Sequence, residues 1–562
     1  MPTPRNLHFP TVPGISALRA LSVGVKRGDW ATECYVLRPV ISRITTIFGK
    51  GAIMKSWTRA RLAAITLCAM LCMAGWLNGQ DHNEKHPRYK LVDLGTLGGP
   101  ISYGSADGDG GRLLNNEGMV SSYADTSAPD PFAPDFCLNA DCLLAHAYRW
   151  RDGVMRDLGT LGDGYTSLAA GINDRGWSIG ASQTGLLDPH FGGPQNRAVA
   201  WIGRHMLNLG TIEGGTSSSG ISINNLGQMV GVSDNGVPDP FSVFQAGFQI
   251  RTFFWEHGDL EDIGSLGGPD TVPGPGCSNQ RPRSIVGSSY TNFTPNADTG
   301  IPTLNPFIWE NGKMVDLGNL GGTISFGQCA NNRGDVIGQS NLRGDLVTHA
   351  FLWHKGRMMD LGTLGGDNSE AIWMNDAGVI VGSADLPTPD IHDAVRWKHR
   401  QILDLGTVDG DACSRGRAIN SKGQIVGGSS DCHNFLHAFV WEEGGPMLDL
   451  NTLIPPGSGL QITNAFNIND RGEILAKSIP VGVTPIDDED FGHVVLLIPC
   501  HEEDDCKPEN ESTVTSNTRI QSAQRVSDSA RTQRPATVKD VVAEWRAKIA
   551  RQYRLAPVVQ KP

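Results

Sequence analysis

An all-β fold, a β-propeller of about eight four-stranded blades, is what this sequence predicts, on three observations. A motif recurs: DLGTLGG stands at 93–99 and 360–366, with relatives at 157 (DLGTLGD), 262 (DIGSLGG), 316 (DLGNLGG) and 404 (DLGTVDG). Seven tryptophans, Trp150, Trp201, Trp255, Trp309, Trp353, Trp397 and Trp441, follow one another at intervals of 51, 54, 54, 44, 44 and 44 residues. Each interval holds four short β-prone runs separated by turn residues, and four antiparallel strands per repeat of about 40–50 residues is a blade signature.

The clearest unit reads HAFLWHKGRMMDLGTLGGDNSEAIWMNDAGVIVGSAD (349–385). Its first strand is the aromatic and aliphatic run AFLW, closed by the glycine turn HKG. The second is RMMDLG and the third is AIWMND. Asn-Asp-x-Gly then supplies a turn, because Asn and Asp bond their own backbone and Gly takes positive φ. The fourth is VIVGSA, whose glycine implies backbones too close for a side chain. Relatives begin at 146, 198, 306, 394 and 437. A degenerate member begins at 253 (FFWEHGDLEDIGSLGG), and the sequence around Cys277 replaces its Asn-Asp-x-Gly step.

The ends are complementary. The first DLG unit (RYKLVDLGTLGG, from 88) lacks a preceding Trp-type strand, and the last strand, GHVVLLIP (492–499), lacks a following DLG. If the C-terminal strand completes the blade that the N-terminal strand begins, the ring closes and no edge is left to template aggregation. Seven Trp-led units plus this shared blade give eight. Seven is the alternative if the degenerate unit merges with a neighbour, and an open β-solenoid is the alternative fold.

The pattern HAF-x-W … DLGTLGG … IND-x-G-x-I-V-G-x-S resembles the bacterial extracellular HAF repeat, named for His-Ala-Phe. His-Ala-Phe itself stands at 349–351 and 437–439, and it varies elsewhere (HAY at 146–148, AVA at 198–200). The resemblance covers about 88–499. It implies a secreted bacterial protein and carries no established biochemical activity.

Around this body (86–500) lie four other segments. Residues 54–79, MKSWTRARLAAITLCAMLCMAGWLNG, have a basic start and a 16-residue apolar run, the pattern of a secretory signal peptide. A membrane anchor is the alternative, although a spanning helix needs about 20 residues. A signal peptide begins a chain, so Met54 is read as the true start and 1–53 as a mis-assigned extension. Residues 501–536 read as a linker. Residues 537–555 place Val538, Val541, Val542, Trp545, Ile549 and Tyr553 on one stripe of a short basic helix, with Thr537 as N-cap and Asp540 in its first turn. That helix is expected to dock on the acidic body, an envelope surface or a partner.

The chain has 562 residues and net charge −12, divided as +8 over 1–79, −26 over 80–506 and +6 over 507–562. A body this acidic repels nucleic acid and anionic membranes. Eight cysteines remain beyond residue 79: Cys137, Cys142, Cys277, Cys329, Cys413, Cys432, Cys500 and Cys506. An even number in a secreted chain suggests disulfides. Cys137/Cys142 and Cys500/Cys506 are local pairs, Cys413/Cys432 flank one unit, and Cys277/Cys329 sit in neighbouring units. With no CxxC, zinc ribbons and thioredoxin-like motifs are disfavoured.

A repeated DLGTLGG, with neither a following helix nor a lysine, does not meet the requirements of a phosphate loop. Its Asp is read as accepting backbone N–H groups in its own turn and its leucines as inter-blade core. The tryptophans are likewise read as core, with sugar stacking as the alternative. His146, His349 and His437 open repeats and are read as structural. There is no GxSxG, HExxH or Walker A motif, so no catalytic residue is assigned. ADGDGG (106–111) has a hint of a calcium loop, but Arg112 and Gly118 break the EF-hand pattern. A loose calcium site is thus the alternative to no cofactor.

The first four units carry long connections before the next Trp-type strand, at 125–145, 186–197, 234–250 and 291–305, whereas later ones read as short. Equivalent loops share one face, and loops on a rigid scaffold often carry function. Three contain an Asp-Pro-(x)-Phe element: Asp130/Phe132, Asp188/Phe191 and Asp239/Phe241. These six residues are the candidate binding residues, against the alternative that they form local turns. The expectation is a secreted binding scaffold for an extracellular glycan or protein. A polysaccharide hydrolase or lyase on the same face and a structural envelope protein are the alternatives.

Overall fold

A computed structural model describes residues 88–104, 111–134, 136–139, 141–276, 280–483, 492–500, 506 and 537–553. Residues 1–53, the leader 54–79, most of the calcium-loop candidate, Cys277 and the linker apart from Cys506 lie outside them. Six four-stranded antiparallel sheets and one eight-stranded sheet, itself two four-stranded meanders joined edge to edge, make eight blades in order. Blade one runs Gly98–Tyr103, Val120–Pro129, Leu143–Arg151 and Val154–Asp157. Blades two to seven repeat this meander, starting at Ser167, Ser218, Thr271, Gly321, Ser369 and Cys413. Blade eight joins Leu460–Ile468, Ile474–Pro480 and His493–Pro499 to the N-terminal strand Tyr89–Asp93. Tyr89 pairs with Pro499 and Asp93 with Val495, so the complementary ends meet as expected. The count is eight, not seven. The degenerate unit keeps its own four-strand meander, with a first strand of only three residues, Thr271–Pro273, but it joins the next blade in one eight-stranded sheet through a parallel bridge between Leu304 and Ile324.

The phase of the repeat differs from the sequence reading. A blade begins with the Asn-Asp-x-Gly strand and ends with the DLG strand, so each Trp-to-Trp unit spans two blades. First strands are mostly buried. Fourth strands such as Val154–Asp157 and Lys313–Asp316 are largely exposed edges.

Repeated letters make repeated contacts. In all eight DLG-type turns the side chain of Asp (Asn208 in blade two) accepts the N–H two residues on, at 2.7 to 2.9 Å. The following Leu or Ile is buried in seven, for example Leu361 and Leu450. Serines of the next blade's first strand clasp this turn: Ser167 Oγ donates to the Gly159 carbonyl and accepts the Ala147 N–H, at 2.7 and 3.0 Å. Ser218 and Ser414 repeat the arrangement. Trp201 and Trp397 donate their indole N–H groups to the Leu158 and Leu361 carbonyls of the preceding blade. The tryptophans are core residues; Trp353 alone of the seven is half-buried.

The asparagines link the first strands. Asn115 Nδ2 donates to the Asn173 carbonyl and Asn173 to that of Asn224; Asn375 donates to Asn420, Asn420 to Asn469, and Asn469 back to Asn115 at 3.0 Å. The Leu113 N–H donates to Asn467 Oδ1 at 2.7 Å, so blade eight abuts blade one directly.

Three of the cysteine pairs are disulfides: Cys137–Cys142, Cys413–Cys432 and Cys500–Cys506. Cys329 is also disulfide-bonded. Among the described residues no helix is long and apolar enough to cross a membrane.

Candidate binding face

In a meander the connection between second and third strands emerges at the same end as the DLG turn. The four inserted loops therefore share one end of the molecule, as the sequence implied. Blade eight adds a connection of its own, 481–492, in place of the short one expected; most of it lies outside the described residues.

The three Asp-Pro elements build these loops. Each follows a break in strand register: Asp125/Pro129, Gln183/Leu187 and Asp234/Pro238. Each aspartate is buried and accepts backbone N–H groups two or three residues on: Asp130 from Phe132 at 2.9 Å, Asp188 from His190 and Phe191 at 2.8 and 3.1 Å, and Asp239 from Phe241 at 2.9 Å. Asp188 also takes hydrogen bonds from the hydroxyls of Thr216 and Ser217, tying its loop to blade three. Each carboxylate thus engages its own loop through at least one oxygen. Their phenylalanines divide: Phe132 lies edge-on to Tyr165, ring centres 5.7 Å apart, whereas Phe191 packs on a second cluster, beside which the Phe241 carbonyl lies.

That cluster gathers groups the sequence did not single out. His190 Nδ1 bonds Asp234 at 2.6 Å, and its ring stacks on Phe248 at 4.4 Å. Phe191 meets Phe248 edge-on at 5.9 Å. Asp270 is fully buried and accepts the Val243 and Ile250 N–H groups at 2.5 and 2.8 Å. Burial first, and then the neighbouring Asp239 charge, pushes its carboxyl up to about 7. Burial also raises Asp239, while Arg546 opposes that rise. The Tyr290 hydroxyl donates to the Phe241 carbonyl at 3.1 Å. The local signal was present in Asp-Pro-His-Phe, whose histidine lies outside the repeat pattern.

The C-terminal helix α1 (Val538–Tyr553) lies on this cluster. Thr537 and Asp540 form a reciprocal cap: the Asp540 N–H donates to Thr537 Oγ1 at 3.3 Å, and Asp540 Oδ2 accepts the Thr537 N–H at 2.8 Å. Val542 and Ile549 are buried, and Trp545 packs beside them against a bed that includes Val243, Phe244, Ile301 and Phe326. Arg546 donates to the carbonyls of Phe241 and Ser242 at 3.1 and 3.4 Å. Docking on the body, one of the expected outcomes for this helix, is the observed one.

On blade one, Tyr103 and Tyr123 stack at 4.7 Å, and Tyr103 donates to Asp125 at 3.2 Å. Burial and then the nearby Asp141 push Asp125 up to about 8. No cluster of three or more metal-ligating side chains occurs among the described residues.

Exposed apolar side chains concentrate at the loop end. Leu186 and Leu187 are 63 and 60 % exposed, Phe293 59 %, Leu346 53 % and Val481 67 %, all on or beside second-to-third-strand connections.

No protein-family model matches the chain, and no curated protein does. Solved structures do. The β-propeller domain of the Trilobed protease from Pyrococcus furiosus is 9 % identical, with 65 % of this chain and 95 % of that one covered, at a TM-score of 0.35. Porphyromonas gingivalis dipeptidyl peptidase 4 is 8 % identical over 72 % of this chain and 60 % of its own, at 0.39. A polysaccharide lyase, an ulvan lyase, is 11 % identical over 74 % and 96 %, at 0.31.

Proposed function

We propose that this chain is a secreted bacterial binding module of the HAF-repeat type that engages an extracellular protein through its inserted-loop face. One observation carries the reading: Leu186, Leu187, Phe293, Leu346 and Val481 stand exposed at the loop end. Exposed apolar groups presented at one end of a rigid scaffold make that end a candidate interaction surface. Aliphatic tips suit a protein partner better than a glycan, which is usually met by open aromatic platforms. The loops beneath are held by buried aspartates, so little ordering remains to be done on binding. The leader-like 54–79, the disulfides and the acidic body are compatible with an extracellular setting.

Polysaccharide cleavage on the same face is a second reading, favoured by the Asp239–Asp270 carboxylate pair. Both carboxylates are buried, which withholds them from substrate as the chain stands.

The test is an array of envelope proteins and polysaccharides probed with oxidised protein, with and without calcium. Saturable binding to a protein that is lost on shortening 234–250, or in a Leu186→Ser, Phe293→Ser variant that melts normally, supports the proposal. Binding untouched by either change overturns it, and release of unsaturated or reducing sugar ends favours the second reading.

A further inference from the structure

The seat of α1 has the features of a receptor for one charged side chain set in an apolar bed. The guanidinium of Arg546 reaches the carbonyls of Phe241 and Ser242 at 3.1 and 3.4 Å, beside Asp239. Val542, Trp545 and Ile549 flank it, one turn apart, against apolar residues of the inserted loops. Valine, tryptophan-arginine and isoleucine at these spacings form one helical stripe. The charges match as well: residues 507–562 carry +6 and the body −26.

The seat leaves two polar atoms over. Arg546 Nε and Ser242 Oγ are buried without hydrogen-bond partners among the described residues. Buried polar groups left unpaired weaken an interface relative to a ligand that pairs them. A helix of this length is also marginal by itself and depends on its bed for order. Its linker, 501–536, is 36 residues, a contour of roughly 120 Å at about 3.3–3.6 Å per residue, enough to let α1 leave without unfolding the blades.

We infer that the bed beneath α1 is a recognition site for an arginine-bearing, basic amphipathic helix of a partner protein, held in the intact chain by α1 as a displaceable ligand in cis. This rests on the reading of the loop face as a protein-binding surface and names the chemistry of what that face accepts. A tethered helix competes at an effective concentration on the order of millimolar, so an outside helix binds weakly until α1 is released.

The test uses the full chain and a fluorescent peptide with the sequence of 537–555. Val542→Asp with Ile549→Asp releases α1 and leaves the blades unaltered, which a thermal melt confirms. Fluorescence anisotropy is expected to show saturable peptide binding to the released variant, at least about ten-fold tighter than to the intact chain. A peptide carrying Arg546→Met is expected to bind about ten-fold or more weakly than the unsubstituted one. A doubled native mass of the intact chain that the peptide reverses supports the inference and identifies a second copy's α1 as the partner helix. Absence of binding to a folded released variant overturns it, as does binding indifferent to Arg546→Met. Failure of the loop-face reading is seen separately, in the array, where the Leu186→Ser, Phe293→Ser variant, which leaves the seat of α1 intact, leaves binding unchanged.

Discussion

Asp393 stands where other blades place the first histidine of His-Ala-Phe. In blades one, five and eight that histidine bonds the DLG aspartate, as His146–Asp157, His349–Asp360 and His493–Asp93, each at 2.9 Å. Blade four uses Asn305 against Asp316 at 3.0 Å. Blade six sets carboxyl against carboxyl, Asp393 beside Asp404. Burial first, and then Asp404, push Asp393 up to about 7. Asp393→Asn reproduces the blade-four pair at constant volume. It is expected to stabilise the protein by roughly 1 kcal/mol at pH 8, where like charges on paired strands repel, and by nearly nothing at pH 5. Denaturant melts at the two pH values check this; an equal shift at both means that the charge pair is not the cause. Glycine works at the same scale. A Cβ on Gly427 would collide with the Arg415 carbonyl and lie 2.8 Å from the Phe439 ring, and Gly338 has the same relation to Phe326 and Phe351. The glycine of I-V-G makes room for the phenylalanine of His-Ala-Phe, which the sequence hinted at as close backbone approach. Gly427→Ala is expected to cost about 1–3 kcal/mol by overpacking. A melt unchanged from the parent protein contradicts that packing account.

At the scale of the strand and blade, the recurring letters led to the right elements and to the wrong boundaries. Trp and DLG are the most conspicuous marks in the repeat, so a unit is naturally cut between them. The chain, however, crosses to the next blade just after DLG, and a serine there closes the step. A single serine is too common a residue to signal a boundary until its two partners are seen. Ser414→Ala removes the acceptor of the Ala394 N–H and the donor to the Gly406 carbonyl, so a loss of about 1–3 kcal/mol is expected from unpaired backbone groups. Ser414→Thr should recover part of it, because Thr271 keeps the contact to Gly264 in blade four. If alanine and threonine behave alike, the hydroxyl is not what clasps the blades. The inserted loops were legible for a different reason: Asp-Pro-Phe is turn chemistry, and the same chemistry buries its aspartates. What the strings of letters could not reveal is that blades two to five, roughly 200 to 350 residues upstream in the chain, supply the bed for α1. That meeting depends on successive blades bringing distant loops to one end of the molecule.

The whole molecule titrates as a sum of its carboxylates and histidines, and two groups of sites act in different windows. Asp125 and Asp270 are pushed up to about 8 and about 7, by burial first, and Asp393 likewise to about 7. An unfolded aspartate titrates near 3.9. The folded chain therefore binds these protons more tightly, and its stability falls as pH rises from about 4 through those values. His146, raised chiefly by its hydrogen bond to Asp157, acts in the same direction: its contribution is full below about 6.5 and is lost as pH rises past its folded value. Asp157, Asp174 and Asp335 are depressed despite burial, by their His, Arg and amide partners. What they contribute is present above about 4 and disappears on acidification below it. His392 runs the other way, lowered by burial, but it is a single site. The melting temperature is thus expected to peak near pH 5, decline toward pH 8 and fall steeply below pH 4. Asp393→Asn should flatten the alkaline decline and leave the acid limb unchanged. Calorimetry across pH 3 to 9 decides the matter: a maximum at or above pH 8 would mean that the buried aspartates of the loop face do not hold protons in the folded chain.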